Sequence, residues 1–135
     1  MASTLKINTL TGVTTAGSIA VTGEGNSTTT NLQQGLGKTW FNCAGDGNSI
    51  NDSFNFSSVA DDGTGKYTFT YTNNFSNDDY SSTYGTKENS GGADWLTAKT
   101  GGTYSTSAQE VRCWSYAGAF VEPAQAHATL HGDLA

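Results

Sequence analysis

The chain has 135 residues, enough for one domain with its own core and a short additional segment. Its formal net charge of −6 argues against nucleic acid and anionic membranes as partners, because both are bound through basic patches. It contains 21 Thr, 14 Ser, 11 Asn and 17 Gly, nearly half of all residues, a composition typical of many short strands joined by turns.

The first 34 residues contain no aromatic side chain, and their apolar residues are thinly spaced. We expect short strands over residues 4–10, 13–15 and 18–22, where apolar residues alternate or are β-branched. A segment with so little apolar surface cannot offset its own ordering entropy, so residues 1–34 are expected to form an arm that is either flexible or ordered against another chain. The alternation of Leu5 and Ile7 and the β-branched residues further along favour the second alternative. The arm residues expected to contact other chains are Leu5, Ile7, Leu10, Val13, Ile19, Val21 and Leu32.

The start of the chain gives no indication of secretion. Residues 1–10 contain a single lysine and no apolar run of the kind found in a secretory signal. No stretch approaches the roughly 18 apolar residues of a membrane span. We therefore expect synthesis in a cytoplasm and no membrane partner.

Every aromatic residue lies beyond residue 35, and residues 35–135 are predicted to form a β-rich knob domain. The clearest strand covers residues 66–72, with Tyr67, Phe69 and Tyr71 on one face. It is predicted to form a hairpin with residues 52–59 across the Asp-Gly turn. One further strand is expected to begin at Trp40, and others to cover residues 80–86, 95–99 and 109–119. Residues 127–134 are expected to form a last strand or a tail.

Strands at intervals of roughly ten residues are typical of a small antiparallel sandwich or barrel. Phe54 and Phe56 are expected to share one face of their strand and to enter the core. The complete predicted core set is Trp40, Phe54, Phe56, Tyr67, Phe69, Tyr71 and Trp114. Cys43 and Cys113 stand beside aromatic residues, so buried thiols are favoured, and a disulfide between them is the open alternative.

Residues that could carry chemistry are sparse. The glutamates are scattered without a motif, and a Cys113 nucleophile would need a partner such as His127, so catalysis is not expected. His127 and His131 are weak candidates for a metal site on a trimer axis, and two surface histidines are the favoured interpretation. The acidic groups at 61–62 and 77–79 lack the spacing of a calcium loop and are interpreted as turn residues. No cofactor is predicted.

Three aromatic residues stand near glycine pairs and polar loops. Exposed rings at Tyr84, Trp95 and Tyr104 would suit contact with a carbohydrate or protein receptor. The favoured interpretation is that these rings fill the core, and receptor contact is the alternative.

Three segments in order resemble a domain common in tail-fibre and other virion proteins of bacteriophages, especially marine ones. The matching segments are GLGKTWFN at 35–42, DSFNFSSV at 52–59 and DGTGKYTFTYT at 62–72, followed by Phe75 and Tyr80. The opening STLKINTL at 3–10 also resembles the start of such proteins. The resemblance implies a β-rich, non-catalytic virion protein that forms homotrimers, with residues 1–34 as its attachment and trimerisation arm.

The length of the arm bears on where in the virion such a protein would sit. Fully extended, the arm reaches at most about 110–120 Å. This length is sufficient for binding to a neighbouring subunit but too short for a long fibre shaft. We therefore expect a capsid decoration (cement) or short head-fibre protein, made in the host cytoplasm and bound to the major capsid protein on the outer surface of the phage particle. The alternative is a receptor-binding tail fibre or tail-tip protein that recognises host surface glycans.

Overall fold

The structure is a computed structural model that describes residues 4–12, 19–22, 29–89, 94–99 and 104–135. The chain divides into two compact units, Met1–Leu36 and Gly37–Ala135. We call them the N-terminal unit and the sandwich unit.

The described part of the N-terminal unit contains one two-stranded antiparallel sheet and one short helix. Strand β1 (Ala20–Thr22) pairs with strand β2 (Thr29–Asn31), and helix α1 (Leu32–Gly35) follows directly. Asn31 caps this helix, because its side-chain oxygen accepts a hydrogen bond of 3.1 Å from the backbone N–H of Gln34. Strand β1 lies within the segment predicted as a strand over residues 18–22.

The strand predicted over residues 4–10 is wrong. Residues 4–12 pair with no strand in the part of the chain that the structure describes. A strand requires a partner for its backbone N–H and C=O groups, and the alternation of Leu5 and Ile7 does not provide one. The strand predicted over residues 13–15, and Val13 with it, lies outside the described residues.

The described residues of the sandwich unit form eight strands in two four-stranded antiparallel sheets, which pack as a sandwich. The strands are β3 (Thr39–Ala44), β4 (Ile50–Phe54), β5 (Phe56–Asp61), β6 (Lys66–Tyr71), β7 (Ser81–Lys87), β8 (Asp94–Ala98), β9 (Ala108–Ser115) and β10 (Gln125–His131). The first sheet has the order β4-β3-β10-β7, and the second sheet has the order β5-β6-β9-β8. The predicted all-β antiparallel sandwich is confirmed.

The core lies between the two sheets and is largely aromatic. Tyr67, Phe69 and Tyr71 of β6 are buried, as their alternation predicted. Phe41 of β3 stacks on Phe56 of β5 with ring centroids 4.2 Å apart, and its ring centroid lies 4.4 Å from that of Phe69. Offset and tilted ring contacts of this kind stabilise a core beyond the burial of apolar area.

The segment predicted as a single strand over residues 52–59 is two strands in different sheets. The chain passes from β4 to β5 at Asn55, whose φ of 55° lies in the left-handed region. This bend interrupts the two-residue alternation, so Phe56 is buried while Phe54 is 52% exposed. The prediction that the two rings share one face, with Phe54 in the core, is wrong.

Trp40 and Trp114 also lie outside the core that was predicted to contain them. Alternation in β3 buries Phe41, which places Trp40 on the outer face of the first sheet with 39% of its surface exposed. Alternation in β9 buries Cys113 and leaves Trp114 half-buried on the outer face of the second sheet. Ring size favoured these residues for the core, but the phase of each strand decides the face, because successive side chains point to opposite sides.

Cys43 and Cys113 are buried free thiols, which confirms the favoured interpretation. Cys43 belongs to β3 in the first sheet, and Cys113 belongs to β9 in the second. Burial raises the pKa of each thiol to about 11. At neutral pH both are therefore protonated and pack as small apolar side chains.

Candidate functional site

The N-terminal unit presents most of its predicted contact residues to solvent. Leu5 is 78% exposed, and Ile7, Leu10 and Val21 are also exposed. Ile19 and Leu32 are partly buried, and the backbone N–H of Leu32 donates to the carbonyl oxygen of Ile19. The described residues of this unit thus carry large apolar side chains with little cover of their own.

The three candidate receptor residues do not share one surface. Tyr84 and Tyr104 are partly buried against the core, and their hydroxyl oxygens are 3.5 Å apart. Burial, followed by the hydrogen bond to Tyr104, raises the pKa of Tyr84 above its ordinary value. Trp95 instead lies on the outer face of the second sheet and is 44% exposed. Trp95 alone of the three presents an exposed ring.

A shallow groove crosses the outer face of the first sheet. Its volume is about 280 Å³, and its lining includes the side chains of Trp40, Thr83, His127 and Thr129. Strand pairing explains the arrangement, because Thr129 of β10 lies in register with Trp40 on one side and with Thr83 on the other. Phe54 is the neighbour of Trp40 on β4, so the face is both aromatic and hydroxyl-bearing.

Gly85 leaves room for the imidazole of His127 beside this groove. A Cβ placed on Gly85 of β7 would lie 2.2 Å from Nε2 of His127, so the imidazole lies directly over the glycine. His131 lies on the same face of β10, four residues further along. Both histidines are exposed, and the described part of the chain holds no group of three or more residues that could bind a metal ion.

A second exposed aromatic surface lies on the outer face of the second sheet. Trp95 of β8 pairs in register with Trp114 of β9, and both side chains point away from the core. The ring of Phe120 packs against the ring of Trp114, with centroids 4.2 Å apart. We call these three rings, together with Lys66 and Arg112, the aromatic–cation patch.

The two cations of the patch are neighbours across a strand pair. Lys66 of β6 lies in register with Arg112 of β9, and the Lys66 Nζ is 4.9 Å from the centroid of the Phe120 ring. Arg112 uses one of its N–H groups to donate to the carbonyl oxygen of Val111 at 2.7 Å. Because an arginine carries five N–H donors, this bond leaves most of its capacity for a further partner.

One acidic group on this face already has a partner. Glu110 accepts a hydrogen bond from Lys99 at 2.5 Å, and this bond holds the pKa of Glu110 below its ordinary value. Among the described residues, no carboxylate oxygen lies within 4 Å of the Lys66 Nζ or of an Arg112 guanidinium nitrogen. Asp62 also lies on this face, where its carboxylate accepts a hydrogen bond from the Oγ1 of Thr68, two residues along β6 from Lys66.

Sequence reasoning did not recognise this patch as one surface. Side chains alternate along β9, so Arg112 and Trp114 point outward if Val111 and Cys113 point into the core. The sequence therefore contained part of the information needed to locate the patch. What the sequence did not reveal is that β9 lies between β6 and β8. That order brings residues from well-separated parts of the chain onto one face.

Comparisons with protein-family models, with curated proteins and with solved structures found no match. In the part of the chain that the structure describes, no helix is long and apolar enough to cross a membrane.

Proposed function

We propose that the protein is a non-enzymatic structural protein of a bacteriophage particle, a homotrimer that decorates the capsid exterior through its N-terminal arm. The phage assignment is supported by the resemblance of residues 35–80 to domains of phage virion proteins. On this proposal the chain is made in the host cytoplasm and joins the outer surface of the particle, where the major capsid protein is its partner.

The observation that carries this proposal is the exposure of apolar side chains in the N-terminal unit. Leu5, Ile7, Leu10 and Val21 are all exposed in the isolated chain. Burying one such side chain against a partner contributes about 1.5–3 kcal/mol. Several together would provide the attachment energy that a decoration protein needs.

Trimerisation would strengthen such an attachment. Three arms held in one assembly bind a particle far more tightly than one arm, provided that all three can engage together. Trimerisation would also cover apolar side chains and strand edges that otherwise favour aggregation.

The geometry supports a non-enzymatic role. Cys113 points into the core from the second sheet, whereas His127 points outward from the first sheet. The two therefore do not face each other as a nucleophile and its base must. The raised pKa of Cys113 further lowers its reactivity at neutral pH.

A receptor-binding tail protein is the second candidate function. It is favoured by the exposed rings of Trp40 and Trp95, because exposed indoles on a polar sheet face are suited to glycan contact. The number of copies in the particle separates the two candidates, since a decoration protein covers the capsid while a tail tip holds few copies. We expect quantitative mass spectrometry of purified virions to give a copy number on the order of hundreds.

The attachment role is tested with the full-length chain and phage particles assembled without it. The triple variant Leu5→Ser, Ile7→Ser, Leu10→Ser removes exposed apolar surface from the arm. We expect its affinity for the particles, measured by co-sedimentation, to fall by at least about tenfold.

Tyr116→Ser is the matched control, because Tyr116 is 72% exposed on the sandwich unit. It should bind particles like the unchanged chain. Attachment by the triple variant at full strength, or absence of the chain from virions of the phage that encodes it, would refute the proposal.

A further inference from the structure

The aromatic–cation patch combines two kinds of binding group on one flat sheet face. Trp95, Trp114 and Phe120 offer ring surfaces, and Trp95 and Phe120 are exposed. Lys66, Arg112 and Trp114 stand on β6 and β9, each of which is paired with a strand on both sides, so an extended peptide cannot add a strand there. A flat ligand surface that stacks on rings suits this geometry better.

The charge of the patch is opposite to that of the chain. The net charge is −6, yet Lys66 and Arg112 stand side by side here while Glu110 is paired with Lys99. Arginine binds carboxylates through paired N–H groups in a fixed geometry, and lysine adds a point charge. A ligand that fits must therefore present both a face for stacking and a carboxylate.

We propose that the aromatic–cation patch on the outer face of the second sheet binds a carboxylated polysaccharide. The sugar rings would stack on Trp95, and their carboxylates would pair with Arg112 and Lys66. Uronic acids offer both features in each repeating unit. Nucleic acid is disfavoured, because its dense phosphate charge requires more cations than these two.

The proposed glycan site is independent of the proposed capsid attachment. The patch lies wholly within the sandwich unit, while capsid attachment is assigned to the N-terminal unit. The binding experiment uses the purified full-length chain without phage particles, so either proposal can fail while the other stands.

The probe is a short oligosaccharide of alginate, a polymer of mannuronate and guluronate. A neutral manno-oligosaccharide of equal length and an oligoglutamate are the comparison ligands. In titrations followed by NMR, we expect alginate to shift the indole signals of Trp95 and Trp114. The neutral sugar and the oligoglutamate should bind at least about fivefold more weakly.

Matched variants locate the site. Trp95→Ala and Arg112→Gln should each weaken alginate binding by about fivefold or more, and Trp95→Phe should restore much of the stacking loss. Phe54→Ala and Lys87→Gln remove an exposed aromatic ring and an exposed cation from the first sheet, and should stay within about twofold of the unchanged chain. Circular dichroism confirms that each variant is folded.

Four results would overturn the inference. The first is no alginate binding at about 10 mM ligand. The second is equal binding of the neutral sugar, which would remove the role of the cations. The third is equal binding of oligoglutamate, which would indicate an acidic protein partner. The fourth is a change in oligomeric state with Trp95→Ala, which would indicate that a second copy of the chain covers the patch.

Discussion

Gly65 shows how a single residue limits what the turn before β6 can accept. Its φ is +62°, in the left-handed region that glycine adopts without steric cost. A Cβ at this position would lie 2.6 Å from the carbonyl oxygen of Val121 and 2.8 Å from that of Cys113. Both are backbone atoms, so neither can shift without a cost in folding free energy. Gly118, by contrast, has a φ of +76° and nothing within 4 Å of a built Cβ.

Gly65 and Gly118 should therefore differ in how well they tolerate an added methyl group. Gly65→Ala should lower the free energy of unfolding by about 3 kcal/mol or more, because conformational strain and overlap with backbone add together. Gly118→Ala should cost only about 1 kcal/mol, from strain alone. Urea unfolding of the two variants measures the difference. Equal costs would mean that the space around Gly65 is not tight.

At the scale of elements, the crossing from β4 to β5 holds the two sheets together. The side-chain oxygen of Asn55 accepts from the backbone N–H of Asn73 at 2.7 Å, and its amide nitrogen donates to Thr39 Oγ1 at 3.1 Å. Thr39 begins β3 of the first sheet, and Asn73 follows β6 of the second. One side chain therefore links both sheets at the point where the chain changes sheet.

We predict that Asn55→Ala destabilises the fold by about 2 kcal/mol, since it removes these bonds and keeps a Cβ at positive φ. Asn55→Gly loses the same bonds but adopts this φ freely, so it should be less destabilised by about 1 kcal/mol. Chemical denaturation of both variants measures the two contributions separately. If the alanine variant matched the glycine variant, the left-handed backbone at this position would carry no strain.

At the scale of the whole sandwich unit, burial between the sheets makes stability depend on alkaline pH. Burial raises the pKa of Cys43 and Cys113 from 9.0 to about 11. The folded state therefore holds both protons more tightly than the unfolded state does. The resulting stability is fully present below pH 9 and is lost as the pH rises through about 11. The raised pKa values of buried Tyr67 and Tyr71 act in the same direction.

We therefore expect the urea midpoint to fall as the pH is raised from neutral into the alkaline range, with a loss on the order of 2 kcal/mol for each thiol. The double variant Cys43→Ala, Cys113→Ala should show a shallower fall, because only the tyrosines then contribute. A midpoint that stayed constant across this range would show that the thiols are not buried in solution.

The sequence predicted strands best where two-residue alternation is unbroken. Tyr67, Phe69 and Tyr71 were assigned to the core from their spacing, and the structure buries all three. The same reasoning failed at Phe54, because Asn55 reverses the phase between two residues that look like one strand. Asparagine is tolerated in both extended and left-handed backbone, so the amino-acid sequence alone does not show which conformation Asn55 adopts.

The amino-acid sequence by itself determined the all-β class, the position of most strands and the inward phase of β6, because these follow from local propensity and alternation. Only the tertiary structure decided that β9 lies between β6 and β8, which brings Lys66, Arg112, Trp95 and Trp114 onto one face. The physical reason is that strand pairing joins segments far apart in the chain. The free energy of each pairing depends on the packing of both partners, which no single segment encodes.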